Sequence, residues 1–379
     1  MIYLDNASTT HKKPKSVTTN VIRALNKYSV NAGRGGYPLS IEAGNIVLNT
    51  RQDLSDFFDL GNPNNVIFTS SCTMAINLAI RGTMQKGGHI VATIFEHNSV
   101  LRTLDDIKTK FGIDYTLVEP NKHGNIDVNE IENAIKPNTY MLITIHASNV
   151  TGHTQDIYKI GNFVAKHNLI YMVDAAQSAG HIEIDMQLAH INLLTIAGHK
   201  GLYAPQGIGV LLINGTKVLP LLTGGTGTHS ANITQPTDTP EGLESGTLAL
   251  PSIMGLSAGL NYVKHNFVTL NKKIKYFTKY LIDELCKIQN VIVYSKYNDV
   301  GVVSFNIGNI PSSEIADQLY KMHAICVRSG LQCAPLIHKY HGTLQQGMVR
   351  ISISSFNTKQ EIITAVSAIK ELAKKVRES

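Results

Sequence analysis

Short apolar runs alternate with segments whose apolar residues repeat at helical spacing between residues 66 and 213. The runs cover residues 66–69, 89–92, 140–145, 169–173, 193–196 and 209–213. Near-continuous apolar strands separated by helices are typical of a mainly parallel sheet that helices cover on both faces. One of these helices is expected to begin at the capping box of Asp127 and Glu130 and to end before Pro137. This part of the chain therefore predicts an α/β fold.

The pattern changes after about residue 260. Apolar residues at helical spacing then continue along a lysine-rich segment from Phe267 to Ile288. Strands are predicted at 291–294, 300–305 and 348–353, and a last helix is expected to begin at the capping box of Thr358 and Glu361. We therefore predict a large domain over residues 15–262 and a smaller α+β domain made of residues 1–14 and 263–379.

The composition excludes several classes of protein. The 379 residues are 43% hydrophobic and 16% charged, which allows a sizeable core and excludes global disorder. The formal net charge of +6 is small for this length and does not indicate nucleic-acid binding. Four cysteines are too few for a disulfide framework, and we find neither a secretion signal nor an apolar run of the roughly 18 residues that a membrane span needs. We expect a cytoplasmic protein that binds neither nucleic acid nor membrane.

Polar residues follow three of the predicted strands. Asp174 follows the run at 169–173, Lys200 follows the run at 193–196, and Asn149 follows the run at 140–145. Ligand sites in open parallel sheets lie beyond such strand ends. Taken alone, Asp174 is also explained as a helix N-cap and Lys200 as a surface lysine. Together they suggest pyridoxal phosphate chemistry, in which a carboxylate keeps the ring nitrogen protonated and a lysine forms an imine.

A phosphate would also need a binding site. Ser71, Cys72 and Thr73 lie between the run at 66–69 and a predicted helix that ends at Gly82. Free N–H groups and the helix dipole at such a start favour a dianion, although ordinary N-capping is the favoured explanation when the segment is taken alone. The chain has no Walker motif, and its Gly-Ile-Gly at 207–209 is an incomplete dinucleotide fingerprint.

Cys333 lies in a predicted loop between Gly330 and Pro335, where Arg328 would favour its thiolate. Cys333, His338 and His341 also offer zinc ligands, although their spacing matches no common zinc signature. We expect no metal, and keep a zinc-binding hydrolase or metal-binding protein as an alternative of another class.

The other cysteines fall in ordinary apolar patterns. Cys286 lies in the apolar pattern of the lysine-rich helix and Cys326 lies in a strand pattern, so both are predicted to belong to the core.

Nine motifs occur in an order that matches one family. They are YLDNASTT at 3–10, Thr73 with Asn77, Glu96-His97, SNVTG at 148–152, VDAAQS at 173–178, GHKGLYAPQGIGVL at 198–211, LESGT at 243–247, RSGLQCAP at 328–335 and VRISISSFNT at 349–358. With these motifs the chain resembles the class V aminotransferase-fold enzymes of the cysteine desulfurase type, in the SufS-like and selenocysteine lyase branch. The resemblance covers nearly the whole chain. It implies the pyridoxal 5'-phosphate (PLP) fold type I and a homodimer with active sites near the subunit interface.

The resemblance also implies roles for individual residues. Around the cofactor ring, it implies Lys200 as the Schiff-base lysine, Asp174 at the pyridinium nitrogen, His97 stacked on the ring, and Gln177 and Asn149 at the phenolic oxygen. At the cofactor phosphate, it implies Ser71, Cys72, Thr73 and His199. Thr247 would reach the phosphate of the neighbouring subunit. Arg350 would bind the substrate carboxylate, with help from Arg328 and Asn149.

The activity implied is a cysteine desulfurase that converts L-cysteine into L-alanine and forms a persulfide on Cys333, with Lys200 and His97 as further catalytic residues. A sulfur-acceptor protein and iron–sulfur cluster assembly belong to the same expectation. Alternatives within the fold are a selenocysteine lyase acting on L-selenocysteine, another β-elimination lyase, or an aminotransferase. The chain has Ala197 where many relatives have serine, and Gln332 where desulfurases commonly have histidine.

Overall fold

The computed structural model describes residues 1–121 and 123–378. Its strands are β1 (Ile2–Tyr3), β2 (Val66–Thr69), β3 (His89–Thr93), β4 (Asp114–Val118), β5 (Thr139–Ile145), β6 (Ile170–Asp174), β7 (Leu193–Ala197), β8 (Gly209–Ile213), β9 (Val291–Val293), β10 (Val302–Ile307), β11 (Ile325–Cys326) and β12 (Val349–Ser352). Its helices are α1 (Lys15–Lys27), α2 (Pro38–Phe57), α3 (Cys72–Gly82), α4 (Asn98–Phe111), α5 (Val128–Ala134), α6 (Ile157–Lys166), α7 (Leu250–Leu285), α8 (Ser312–His323), α9 (Pro335–Tyr340) and α10 (Lys359–Glu378). Across the described residues, no helix combines the length and apolar composition that crossing a membrane requires.

A seven-stranded sheet lies at the centre of the larger part of the chain, in the order β2-β8-β7-β6-β5-β3-β4. The pairs from β7 through β4 are parallel, whereas β8 runs antiparallel to both β2 and β7. The predicted mainly parallel sheet is therefore confirmed, with β8 as the exception. The edge strand β4 was missed, because its sequence DYTLV mixes polar and apolar residues and four of its five residues are only half-buried.

Both faces of the sheet are apolar because helices cover both. Successive side chains of a strand point to opposite faces, and in β7 Leu193 packs with a cluster that includes Ile76 of α3 and Leu104 of α4. Its neighbour Leu194 packs with the opposite cluster, which includes Leu54 of α2. Since both kinds of position are buried, these strands have the continuous apolar sequences from which they were predicted.

A second, smaller set of strands and helices follows α7. The antiparallel sheet β12-β10-β9 and the parallel pair β1-β11 pack with α8, α10 and the second half of α7 in a cluster that includes Leu281, Leu319 and Ile369. The predicted domain boundary at 262/263 falls within the 36-residue helix α7 and stays a prediction. Two predicted core cysteines are not in the core, since Cys286 is exposed at the end of α7 and Cys326 is half-buried.

The parallel register brings the carboxyl ends of β5, β6 and β7 to one edge of the sheet. Ile145 pairs with Asp174, and Asp174 pairs with Thr195. The turn that follows β7 is held by α7, which approaches so closely that a Cβ added at Gly259 would lie 2.0 Å from the carbonyl oxygen of Leu202. Only a residue without a side chain permits this approach.

We predict that Gly259→Ala destabilises the protein by roughly 1–3 kcal/mol, because the added methyl group must push the Leu202 backbone away from α7. Urea unfolding measures this. Thr269→Ala, at an exposed position of the same helix, is the control and should stabilise by a few tenths of a kcal/mol. Stabilisation by Gly259→Ala, the usual result for an exposed helical glycine, would contradict the packing described above.

Candidate active site

Asp174 and Lys200 lie at adjacent strand ends, as the sequence predicted. Asp174 is the last residue of β6 and is 1% exposed. Its Oδ1 accepts a hydrogen bond from Ala176 N at 2.9 Å and lies 3.9 Å from Cys72 Sγ. Burial raises the pKa of Asp174, while the Ala176 N–H and the positive charge of Lys200 oppose the shift. Among the described residues Asp174 has no ion-pair partner within 4.0 Å, so a cation placed beside it would be stabilised.

Lys200 follows the end of β7 in a buried turn. Burial lowers the pKa of Lys200, against the opposing effects of Cys72 and Asp174. A lysine with a depressed pKa has a larger share of the neutral amine, which is its nucleophilic form. The strand ends therefore supply the amine and the carboxyl group that the sequence suggested.

The start of α3 faces the same edge of the sheet. Ser71 is the N-cap and its Oγ accepts a hydrogen bond from Met74 N at 3.2 Å, so the N-capping interpretation is correct. Ala75 is the first residue whose N–H bonds to Ser71 O, so the N–H groups of Cys72 and Thr73 precede the hydrogen bonds of the helix. A Cβ added at Gly209 of β8 would lie 2.3 Å from Ser71 C. This glycine lets β8 lie directly against the loop.

His97 is held by the helix that it begins. Its Nδ1 accepts a hydrogen bond from Ser99 N at 3.0 Å, which places the ring proton of the neutral form on Nε2. Burial lowers the pKa of His97 to about 4, with the positive charges of Lys200 and Arg102 acting in the same direction. The ring is thus neutral at neutral pH and fixed in orientation.

Glu96 is a buried acid to which the sequence analysis gave no role. Its Oε1 accepts hydrogen bonds from Thr93 Oγ1 at 2.6 Å and from Ile145 N at 2.8 Å, while Oε2 is buried without a partner. Burial raises the pKa of Glu96 to about 8, although both hydrogen bonds oppose the shift. Glu96 therefore ties the loop that carries His97 to the end of β5. The sequence feature that could have indicated a role for Glu96 is its position just after the strand that ends at Thr93.

Arg350 is a buried cation on β12, 3% exposed. Its Nη2 pairs with Asp5 Oδ1 at 2.9 Å and donates to Ser8 Oγ at 2.8 Å, and its Nη1 donates to Asn149 O at 2.8 Å. Its Nε is buried and has no partner within the described part of the chain. Asp5 and Ser8 were missed as functional residues, and their membership of the motif at 3–10 was the only signal. Arg328 is exposed and lies beside Arg350 through two main-chain hydrogen bonds.

Cys333 is exposed, as a thiol that meets other molecules must be. Its carbonyl oxygen accepts a hydrogen bond from Asn98 N at 2.7 Å, next to His97. Thr73, His97 and Cys333 line one cavity of about 540 Å³. Gln332 and Cys333 have φ angles of +42° and +60°. Such left-handed conformations cost on the order of 1–3 kcal/mol each, so the surroundings must hold them.

The three ligands of the zinc alternative do not come together as a metal site in the described part of the chain. His338 is fully buried and both ring nitrogens are in use, Nε2 at 2.9 Å from Gln332 Oε1 and Nδ1 at 3.0 Å from Thr343 Oγ1. Within residues 1–121 and 123–378, no group of three or more His, Cys, Asp or Glu side chains could hold a metal ion.

The remaining predicted site residues are Gln177, His199 and Thr247. Gln177 is buried and its Nε2 donates to Ala7 O at 3.1 Å. His199 Nδ1 is buried without a partner, and burial lowers the pKa of His199 to about 4. Thr247 is exposed and lines a different cavity from that of Cys333, so its predicted role toward a neighbouring subunit stays a prediction.

The segment that carries Thr247 is fixed by a buried ion pair. Arg51 Nη1 donates to Glu244 Oε1 at 2.9 Å, and both side chains are 5% exposed. The same Oε1 accepts a hydrogen bond from Phe68 N at 2.6 Å. The glutamate of the LESGT motif therefore binds this segment to α2 and β2.

Comparisons with known proteins agree with this architecture. A family model described as aminotransferase class-V matches residues 2–364. A protein of Methanothermobacter thermautotrophicus named probable cysteine desulfurase is 31% identical over 385 residues, 98% of this chain and 94% of that protein. A protein of Methylococcus capsulatus named cysteine desulfurase IscS is 26% identical over 392 residues, 100% of this chain and 93% of that protein.

The same likeness extends to a solved structure. The apo cysteine desulfurase of Thermococcus onnurineus NA1 is 31% identical and matches with a TM-score of 0.92, over 99% of this chain and 95% of that one. These likenesses confirm the resemblance seen in the sequence and the predicted fold-type-I architecture.

We predict that Glu96→Gln becomes more stable relative to the wild type as the pH rises from 5 to 8. The pKa of Glu96 is about 8 in the fold against an ordinary 4.5, so its contribution is complete below 4.5 and is lost as the pH approaches 8. The difference in unfolding free energy should change by roughly 2–4 kcal/mol across this range in urea titrations. The exposed control Glu132→Gln should change it by less than about 0.5 kcal/mol. A pH-independent difference for Glu96→Gln would show that this carboxyl is ionised in the fold.

Proposed function

We propose that this chain, which belongs to the class-V aminotransferase family, is a PLP-dependent cysteine desulfurase. It converts L-cysteine into L-alanine and carries the released sulfur as a persulfide on Cys333. The observation that carries the proposal is the placement of an exposed thiol on the cavity that His97 also lines, with the half-buried Lys200, whose pKa is lowered, within electrostatic range of Cys333. A thiol that lines the cavity, with an amine within electrostatic range of it, suits the removal of sulfur from an amino acid.

The residues at this edge of the sheet fit PLP. Lys200 would bind it covalently through Nζ, Asp174 would face the ring nitrogen, and the N–H groups at the start of α3 would hold the phosphate. Three buried polar atoms of the predicted site residues have no hydrogen-bond partner among the described residues, and each such atom costs about 1–3 kcal/mol when it is left unsatisfied. They are Asn149 Oδ1, His199 Nδ1 and Arg350 Nε. A polar ligand in this position removes that cost.

When bound, PLP supplies an electron sink that makes the Cα proton of an attached amino acid acidic. Lys200 Nζ, with its lowered pKa, accepts that proton and returns a proton at the end of the reaction. Asp174 would favour the protonated form of the ring nitrogen. Arg350, already fixed by Asp5, Ser8 and Asn149, orients the substrate carboxylate. The neutral ring of His97 offers a flat surface without a competing charge.

Cys333 takes the sulfur in one balanced step. The Cys333 thiolate attacks the sulfur atom of L-cysteine, so an S–S bond forms while the bond between sulfur and Cβ breaks. The electron pair of the broken bond stays with the carbon fragment, which takes up a proton and leaves as L-alanine. No external oxidant or reductant is needed, because the oxidation of the two sulfur atoms balances the reduction of Cβ.

The proposal includes partners and a setting. An exposed Cys333 supports transfer of sulfur to an acceptor protein, with iron–sulfur cluster assembly as a destination. The exposed Thr247 supports a homodimer in which it reaches the phosphate of the other subunit. Because the reaction requires a free thiol at Cys333, we place the enzyme in the reducing cytoplasm.

We predict that Cys333→Ala lowers L-alanine formation from L-cysteine at least about 100-fold, since the sulfur then has no nucleophile to receive it. Amino-acid analysis and mass spectrometry of the persulfide measure the two products. Cys286→Ala, at an exposed cysteine outside the cavity, is the matched control and should keep full activity. Undiminished L-alanine formation by Cys333→Ala would show that Cys333 takes no part in the reaction. If L-selenocysteine is then cleaved faster than L-cysteine, a selenocysteine lyase would be the better assignment. Pyruvate with ammonia would indicate a β-elimination lyase, and a keto acid an aminotransferase.

We also predict that Lys200→Gln abolishes the covalent adduct that borohydride forms between wild-type protein and PLP. Mass spectrometry of the reduced protein detects the adduct. Lys13→Gln is a demanding control, because burial also lowers the pKa of Lys13, in its case to about 8, and its Nζ lies 3.0 Å from His199 O. Lys13→Gln should retain the adduct. An adduct that survives in Lys200→Gln and disappears in Lys13→Gln would overturn the assignment of Lys200.

A further inference from the structure

The side chain of Gln332 is buried although the next residue, Cys333, is exposed. Gln332 is 6% exposed, and both ends of its carboxamide are used. Its Nε2 donates to Met348 O at 2.7 Å, and its Oε1 lies 2.9 Å from His338 Nε2. The side chain thus bridges the segment that leads into β12 and the short helix α9.

The bridge continues through His338. Because an amide oxygen only accepts hydrogen bonds, His338 must carry its proton on Nε2, and its Nδ1 accepts from Thr343 Oγ1 at 3.0 Å. Gln332, His338 and Thr343 therefore form a line of hydrogen bonds in which no donor faces a donor. A fully satisfied buried network of this kind makes its surroundings rigid.

The main chain of the same turn is held from two further sides. Asn149 Nδ2 donates to Gln332 O at 2.6 Å, and Asn98 N donates to Cys333 O at 2.7 Å. The φ angles of +42° and +60° at these two residues are unfavourable for side chains other than glycine. The turn therefore keeps its shape only while its surroundings enforce that shape.

We propose that Gln332 is a positioning residue for Cys333, because its bridge between Met348 and His338 enforces the left-handed turn that presents the Cys333 thiol to the cavity shared with His97. This inference rests on the proposed desulfurase function. The amide takes this place where desulfurases commonly have a histidine before the cysteine. The side chains that Arg350 contacts, Asp5 and Ser8, do not touch the bridge, and Asn149 connects the two only through the main-chain oxygen of Gln332.

The test compares Gln332→Met with Gln346→Met in the PLP-loaded enzyme. Methionine keeps the length of glutamine and removes its hydrogen bonds. Gln346 also donates two side-chain hydrogen bonds, to Gly308 O and Ile310 O, but does not contact the Cys333 turn. For Gln332→Met we expect kcat to fall about 10- to 100-fold with KM for L-cysteine unchanged within a factor of about two. Gln346→Met should change neither by more than about two-fold.

A second readout does not require activity. Amide hydrogen exchange at residues 331–334, measured by mass spectrometry, should become at least about 10-fold faster in Gln332→Met than in Gln346→Met. Thr343→Val is the milder variant if Gln332→Met does not fold, and it should lower kcat by a smaller factor with the same exchange signature. In the double variant the two losses in kcat should be less than multiplicative, because both act through His338.

The outcomes separate this inference from the proposed function. Wild-type kcat and exchange in Gln332→Met, or in Thr343→Val if only that variant folds, would overturn the positioning role while a persulfide on Cys333 of the wild type leaves the desulfurase proposal standing. A parallel rise in KM and fall in kcat in both Gln332→Met and Gln346→Met would show general loosening and also overturn it. If the wild type forms no persulfide, the desulfurase proposal fails, and the exchange data alone then decide whether Gln332 holds the turn.

Discussion

The whole site depends on the removal of two opposite charges from water at neighbouring strand ends. Burial alone drives Asp174 and Lys200 toward their neutral forms, raising one pKa and lowering the other, while their mutual attraction opposes both shifts. The pairing of Asp174 with Thr195 brings the end of β6 beside β7, and Lys200 lies in the turn that follows β7. The close approach of α7 to the turn after Lys200 then prevents that turn from moving outward. The register of β6 and β7 is therefore a chemical requirement as well as a structural one.

The other ionisable groups around the pair follow one of two rules. Some are buried without an opposite charge. His97 is one of them and is neutral at neutral pH, and Glu96 is another, with its pKa raised to about 8. Others are buried with an opposite charge, as Arg350 is with Asp5 and Arg51 with Glu244. Apart from burial, the pKa of Lys200 is raised by Cys72, Asp174 and Cys333 and lowered by Arg350. The ion pairs also tie distant segments together, because Asp5 and Arg350 are 345 positions apart.

What the sequence could predict follows from how strongly each position is constrained. Strands buried on both faces, such as β5 to β7, have continuous apolar sequences and were found, and so were the polar residues that end them. The direction of β8 could not be read, because a strand buried on both faces looks the same in either direction. The half-buried edge strand β4 lacks a clear period. The partners of Gln332 lie up to 183 positions away, so no local pattern indicates them.

The turn at Cys333 has to satisfy two opposing demands. Its thiol must reach a ligand in the cavity and must also be open to whatever takes the sulfur away. A long loop that swings between two positions would meet both, but here the turn is hydrogen-bonded to α4, to the segment before β12, to α9 and to the loop after β5. Four separate anchors on two residues leave little freedom for a swing. On the proposed function, the sulfur therefore waits at the mouth of the cavity, and an acceptor has to approach that mouth closely to collect it.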